Sequence, residues 1–121
     1  MTDYSKMSDK EINHSVLAIF EPDIEHMMLG GNETHFYHCG ITGDGYHQID
    51  IPDYCNNPAD AWPIILSEKI MLSPRCANDE WKAQIYLGRV DIFDNYASAW
   101  NENPLRAAMI VFLMMKDAEK C

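Results

Sequence analysis

Residues 81–117, WKAQIYLGRVDIFDNYASAWNENPLRAAMIVFLMMKD, change period partway along, and that change decides the fold. Trp81, Ala83, Ile85 and Leu87 alternate with Lys82, Gln84 and Tyr86, the period of two of a strand with one buried face. Gly88 suggests a bulge, Arg89 to Phe93 continues the sheet, and Asp94-Asn95 reads as a turn. Tyr96 to Trp100 reads as either strand or helix. From Asn103-Pro104 to about Asp117 the chain reads as a helix, apolar nearly all round from Ala107 to Met115. Such a helix must be covered on most sides, either by its own sheet and neighbours or by a second subunit.

Upstream, Ser8-Asp-Lys-Glu11 has the form of a capping box, in which a serine hydroxyl and a glutamate carboxylate each satisfy the other residue's free amide. The helix that follows carries Ile12, Val16 and Phe20 on one stripe and ends at Glu21-Pro22, because the residue before proline is pushed out of the α region. Between Thr34 and Ile51 two β-type runs flank Gly43-Asp-Gly45, a hairpin signal. A turn centred near Asp44 would set Tyr37 opposite Ile51, Cys39 opposite Ile49, Ile41 opposite His47 and His38 opposite Asp50, gathering the apolar set on one face. A second helix runs from about Pro58 to Lys69, and Lys69 to Ser73 has the look of a further extended segment. The order α-β-β-α-β-β-α implies an α+β fold, an antiparallel β-sheet with helices packed on its faces as an α-β-α sandwich, formed by residues 1–121 as a single domain.

Bulk properties narrow the setting. A chain of 121 residues, 47% apolar and 11% aromatic, suffices for one core and is short for two. Nine basic against 19 acidic residues give a formal charge of −10, which argues against direct nucleic-acid binding through phosphates. The same charge attracts basic partners and favours solubility. The polar N-terminus, MTDYSKMSDKEIN, lacks the features of a secretory signal, and the longest apolar run is too short to span a bilayer, so no membrane role is expected. Cys39, Cys55, Cys76 and Cys121 are widely spaced, which suits free thiols in a reducing compartment.

The stretch Cys55-Asn-Asn-Pro-Ala-Asp-Ala-Trp-Pro-Ile-Ile65 places two prolines at one helix entrance. With Asn57 as the cap, Pro63 would lie inside the helix, at a cost of roughly 3 kcal/mol. With Asp60 as the cap, Pro63 falls in the first turn, where proline is tolerated. The expectation is therefore a turn at Asn56 to Ala59 feeding a helix capped by Asp60. Asn103-Pro104-Leu105-Arg106 repeats the Asn-Pro device, but Arg106 puts a cation at the positive end of a helix dipole and so needs an anionic neighbour. Asp60, Asp53 or Glu102 could supply it. The functional alternative is a ligand-binding anion site for a phosphate or carboxylate, built from Asn56, Asn57, Asp60, Trp62 and Arg106.

Three blocks together carry a resemblance: Tyr4-Ser-Lys-Met-Ser-Asp-Lys-Glu-Ile-Asn13, Cys55 to Ile65, and Asn103-Pro-Leu-Arg-Ala-Ala-Met-Ile-Val-Phe-Leu-Met-Met115. In order and approximate spacing they are similar to the NinX-like family of tailed bacteriophages. A looser similarity, confined to Asp60-Ala-Trp-Pro and Pro104-Leu-Arg-Ala-Ala, extends to the phage α-β-α sandwich domain. The resemblance implies a phage accessory protein in the cytoplasm of the infected bacterial host, with helices on both faces of a sheet. It carries over no catalytic residues, and residues 23–49 and 76–100 depart most from the family pattern.

Other chemistry is weakly signalled. His35, His38 and Cys39, with His47 and Cys55 nearby, invite a zinc reading, but on a strand His35 and His38 point to opposite faces and His35 and Cys39 lie about 13 Å apart. Asp50, Asp53 and Asp60 could pair as acid and base or hold magnesium, yet a cluster of that size is expected in so acidic a chain. No G-x-S-x-G, P-loop, G-x-G-x-x-G or H-E-x-x-H motif occurs. Met109, Met114 and Met115 read as core filler or a pliable interface. The resulting expectation is a non-enzymatic accessory protein without a cofactor or metal, which binds a host protein or sequesters a small anionic, nucleotide-like ligand to counter host defence. Its apolar C-terminal helix is a candidate surface for homo-oligomer formation. The alternatives are an acidic DNA mimic that blocks a host nucleic-acid-binding enzyme and a small metal-dependent hydrolase.

Overall fold

The computed structural model describes residues 3–38, 46–75 and 78–119. Among them the chain forms helix α1 (Asp9–Phe20), strands β1 (Met28–Leu29), β2 (His35–His38) and β3 (His47–Asp50), helix α2 (Pro58–Ser67), strands β4 (Met71–Pro74), β5 (Trp81–Val90) and β6 (Phe93–Asn101), and helix α3 (Pro104–Glu119). Two antiparallel three-stranded sheets result, β1-β2-β3 and β4-β5-β6. The α+β class read from the sequence holds, with one more strand in each half than the simplest pattern gave.

The switch of period at residues 81–117 works as the sequence implies. Ala83 and Ile85 of β5 and Ala97 and Ala99 of β6 are buried on one face of the large sheet, and α3 covers them. Four small or branched residues let the helix approach closely. Every residue of α3 from Ala107 to Leu113 is buried, with α1 and α2 lying against it as well. The cover for this apolar helix therefore comes from its own chain. Each large apolar side chain so buried contributes about 1.5–3 kcal/mol, which makes α3 the principal source of core stability. α1 touches the small sheet through His14 and Phe36, whose rings meet edge to face at 5.4 Å.

Three local expectations need correction. In the first hairpin His35 pairs with Asp50, Phe36 with Ile49, Tyr37 with Gln48 and His38 with His47, a register three residues from the one read from Gly43-Asp-Gly45. An odd shift exchanges the face that one strand presents relative to its partner. It puts Phe36 in place of Tyr37 on the core side, beside Ile49 and Ile51. Packing chose the register, and the expected pairings of Cys39 and Ile41 lie outside the described residues. In the second hairpin the turn is Asp91-Ile92, between paired Val90 and Phe93, and Asp94 and Asn95 lie inside β6. Asp91 supplies the positive φ of 58° that the tight turn demands, a conformation aspartate tolerates better than most residues. The bulge expected at Gly88 is present as a register shift between Tyr86 and Gly88, with φ +114° at the glycine.

The third correction concerns α2. Its cap is Asn57, whose side chain accepts from the Ala59 amide at 3.0 Å, so Pro63 stands inside the helix. Pro63 is exposed beside Trp62, while Ala61, Ile64 and Ile65 face the core. The lost amide donor thus falls on the solvent side, where water can serve the carbonyl left over.

The two edges of the large sheet differ. β4 is a four-residue edge strand that ends in Pro74, a blunt edge of the usual kind. β6 is a nine-residue edge with no proline, lysine or arginine, and no described strand pairs with its outer side.

Candidate functional site

The N-termini of all three α-helices converge on the turn that precedes α2. Ser8 and Glu11 form the expected capping box at α1, Asn57 caps α2, and the Asn103 side chain accepts from the amides of Leu105 and Arg106 at 3.0 and 3.4 Å at the start of α3. Three positive dipole ends in one place favour carboxylates, and Asp9, Asp53 and Asp60 stand there.

Arg106 is the centre of this arrangement. Its Nη1 donates to Asp9 Oδ1 at 2.7 Å, and its Nη2 donates to the carbonyls of Ser5 and Met7 at 3.2 and 2.5 Å. The side chain is only 12% exposed. Its carboxylate partner is thus Asp9, in the first turn of α1, instead of Asp60, Asp53 or Glu102. One anion meets the helix dipole and the guanidinium together.

From Asp9 the network continues inward. Asn56 Nδ2 donates to Asp9 Oδ2 and to Asp53 Oδ1, both at 3.2 Å, and Asn103 Nδ2 donates to Asn56 Oδ1 at 3.2 Å and to the Cys55 carbonyl at 2.5 Å. Asn13, 6% exposed on the inner face of α1, donates to Asp53 Oδ1 and accepts from the Cys55 amide, both at 3.1 Å. Asp60 Oδ2 accepts from the Asp53 amide at 3.0 Å.

Of the residues singled out from sequence, Asn56, Asn57, Asp60 and Arg106 therefore gather around the turn at 53–57. Trp62 points outward from α2, half exposed and away from them. Asp9, Asn13, Asp53 and Asn103 complete the network and were not assigned to the site from sequence. Asn13 carries a signal in retrospect, a polar residue beside Ile12 on the apolar side of an amphipathic helix, where it must find partners. Asp9 does not, since an acid in a first turn is ordinary capping.

Cys55 sits within this hub. Burial and the nearby Asp9 carboxylate push its thiol up to about 12, so it is a protonated, packed side chain at neutral pH. Burial raises the neighbouring Tyr54 phenol as well, helped by the Asp60 and Glu21 charges. In the small sheet the facing His38 and His47 rings are 4.8 Å apart, while His35 lies under Gly30 and beside Tyr37. Among the described residues no group of three or more His, Cys, Asp or Glu side chains is placed to hold a metal.

Two surface features lie apart from the hub. The far end of the β5–β6 hairpin presents Leu87, Val90, Ile92 and Phe93 to solvent, with Ile92 81% exposed, and Tyr86 and Tyr96 stack edge to face behind them. A groove of about 380 Å³ runs between β6, the 3-10 turn Tyr4–Lys6 and α3, lined by Tyr4, Ala99, Ile110 and Met114, with Asp3 and Trp100 at its rim. No helix among the described residues is long and apolar enough to cross a membrane.

The fold is that of a small α+β protein with three helices and two antiparallel three-stranded sheets. A solved structure described as "2.0 A Crystal Structure of a Phage Protein from Bacillus cereus ATCC 14579" superposes with a TM-score of 0.61, covering 97% of this chain and 93% of that one, at 14% identity, a likeness of fold. The sequence over residues 3–116 matches the family described as Bacteriophage P22, NinX, and the chain belongs to that family. No match is found among curated proteins.

Proposed function

We propose that this NinX-family protein is a non-enzymatic phage accessory protein that counters host defence by binding a host protein in the infected cell. The observation that carries the reading is the β5–β6 hairpin, which leaves Leu87, Val90, Ile92 and Phe93 largely or partly exposed side by side at its far end. Clustered exposed apolar residues are costly to solubility and mark interaction surfaces. The chain's formal charge of −10 favours a basic partner. The hub around Arg106 supports the same reading from the other side, because its donors already serve Asp9 and two carbonyls. A small anion bound there would have to compete with Asp9.

The test compares the full chain with an Ile92→Asp/Phe93→Asp double variant. Host proteins retained by the first are purified and titrated against both. Direct binding that falls at least about tenfold in the variant, with an unchanged thermal midpoint, supports the proposal. Equal binding by both, or no binding once the components are purified, overturns it. A stoichiometric nucleotide-like ligand in the mass spectrum of the purified protein, lost in Arg106→Ala, would establish sequestration instead.

A further inference from the structure

We propose that the outer edge of β6 pairs with β6 of a second copy of this chain, antiparallel about a twofold axis at Tyr96, so that the two large sheets join into one. This goes beyond the host-protein reading and does not depend on it.

The two edges of the large sheet are built differently. β4 has four residues and ends in Pro74, whereas β6 runs nine residues, Phe93 to Asn101, without proline, lysine or arginine. No described strand occupies its outer side. An open edge of that length is a template for another strand, and soluble proteins ordinarily blunt it or cover it.

A projection and a recess on this one strand select the second copy. Phe93 is 67% exposed, and alternation places it on the sheet face of Ala97 and Ala99. At the other end of the strand the small Ala99 borders the groove of about 380 Å³ that Tyr4, Ile110 and Met114 also line. In an antiparallel pair centred on Tyr96, Phe93 stands opposite Ala99, Asp94 opposite Ser98 and Asn95 opposite Ala97. Side chains directly opposite share a face, so each Phe93 enters the other copy's groove while the two Tyr96 rings meet on the far face of the sheet. A twofold contact uses the same patch on both subunits, so the projection and the recess are each filled twice. A seated phenylalanine removes about 150–250 Å² from water.

The charges fit this occupant. β6 carries one charged side chain, Asp94, which Arg89 holds at 3.2 Å, and Asp3 in the groove lining is paired with Lys6 at 3.9 Å. The edge itself is therefore close to balance, and more distant charges of the two acidic chains are screened beyond about 8 Å at physiological ionic strength. At the strand ends the remaining charges are opposite. Among the described residues Asp91 in the β5–β6 turn has no ion pair, and no carboxylate, those of Glu80 and Glu102 included, pairs with Lys82 or Arg75, which lie over the Trp100 ring at 5.8 and 5.9 Å. The pairing brings the Asp91-Ile92 turn of one copy to the Trp100-Asn101 end of the other, at both ends of the interface. Leu87 and Val90 lie on β5, away from this edge, and stay open to a host partner.

The test takes the full chain to sub-millimolar concentration in sedimentation equilibrium and oxidises single-cysteine variants, with the parent chain alongside to account for its native cysteines. The expected result is a reversible dimer. Tyr96→Cys should form a disulfide with its own copy at the axis. Asp94→Cys and Ser98→Cys each stand about 13 Å from their own copies and should cross-link only when mixed with one another. Tyr96→Lys sets like charges opposite each other at the axis, and Phe93→Ala empties the groove. Both residues are exposed, and each substitution is expected to weaken the dimer at least about tenfold with an unchanged circular dichroism spectrum. A monomer at every concentration, equal cross-linking at 94, 96 and 98, or a dimer that neither substitution weakens overturns the proposal.

Discussion

Arg106 in the first turn of α3 is ion-paired at 2.7 Å with Asp9 in the first turn of α1, 97 residues earlier. A cation at a helix N-terminus is unfavourable alone, but here it bridges two helix starts through one carboxylate and ties down the Ser5 and Met7 carbonyls. Arg106→Ala removes those bonds and leaves Asp9 without its counterion. We expect a loss of about 3 kcal/mol, read from urea denaturation, and a smaller loss for Asp9→Asn because Asp9 is 44% exposed. In a double-mutant cycle the two substitutions should be non-additive. Additive losses would show that the pair contributes nothing beyond its separate parts.

Asn13 makes a related prediction from the buried side. Its amide joins Asp53 to the Cys55 backbone, fixing the turn that enters α2. Asn13→Leu keeps the volume, strands the Cys55 N–H and takes a donor from Asp53, for an expected cost of about 3 kcal/mol. A thermal midpoint within a degree or two of the parent would contradict the role assigned to this side chain.

How far the sequence led depended on the range of the interaction. The α1 capping box, the buried face of β5, the Gly88 bulge and the apolar α3 all come from neighbours within a few residues, where periodicity and dihedral preference decide. The pairing of His38 with His47, the turn at Asp91 and the Asn57 cap were set by packing between distant segments. A hairpin register that differs by three residues changes little in local propensity and everything in which face Phe36 presents. The site divided in the same way. The Asn-Pro helix entrances were visible, whereas Asp9 and Asn13 became partners only through a fold that joins residues about a hundred and about forty positions apart.

Pro63 offers a substitution expected to stabilise. It occupies an interior helix position, deprives the Ala59 carbonyl of a donor and crowds it, and sits on the exposed side of α2. Pro63→Ala should restore the bond and raise stability by about 1 kcal/mol, less than the full cost of an interior proline because alanine also frees the unfolded chain. The urea midpoint measures it. A lowered midpoint would show that the proline's bend is needed for Ile64 and Ile65 to reach the core.

His14 Nε2 is buried without a hydrogen-bond partner among the described residues, with the ring against Phe36. An unsatisfied ring nitrogen costs about 1–3 kcal/mol. His14→Leu is therefore expected to raise the thermal midpoint even as it gives up the edge-to-face ring contact. A fall would mean that the ring packing outweighs the unpaired nitrogen.

Cys55 ties the hub to pH. Its thiol is raised from 9.0 to about 12, first by burial and then by Asp9. A raised pKa means that the folded state holds the proton more tightly than the unfolded chain does. The associated stability is complete below about pH 9 and declines as the pH rises toward 12, where the unfolded thiol ionises and the folded one resists. Peptide-resolved alkylation should accordingly leave Cys55 unmodified in the native protein at pH 8 and modify it in urea. Between pH 8 and 10 the denaturation midpoint should fall more steeply for the parent than for Cys55→Ala, since removing the thiol removes its share of the slope. Parallel slopes, or rapid alkylation of the native chain, would mean that the hub opens to solvent far more readily than its hydrogen bonds require.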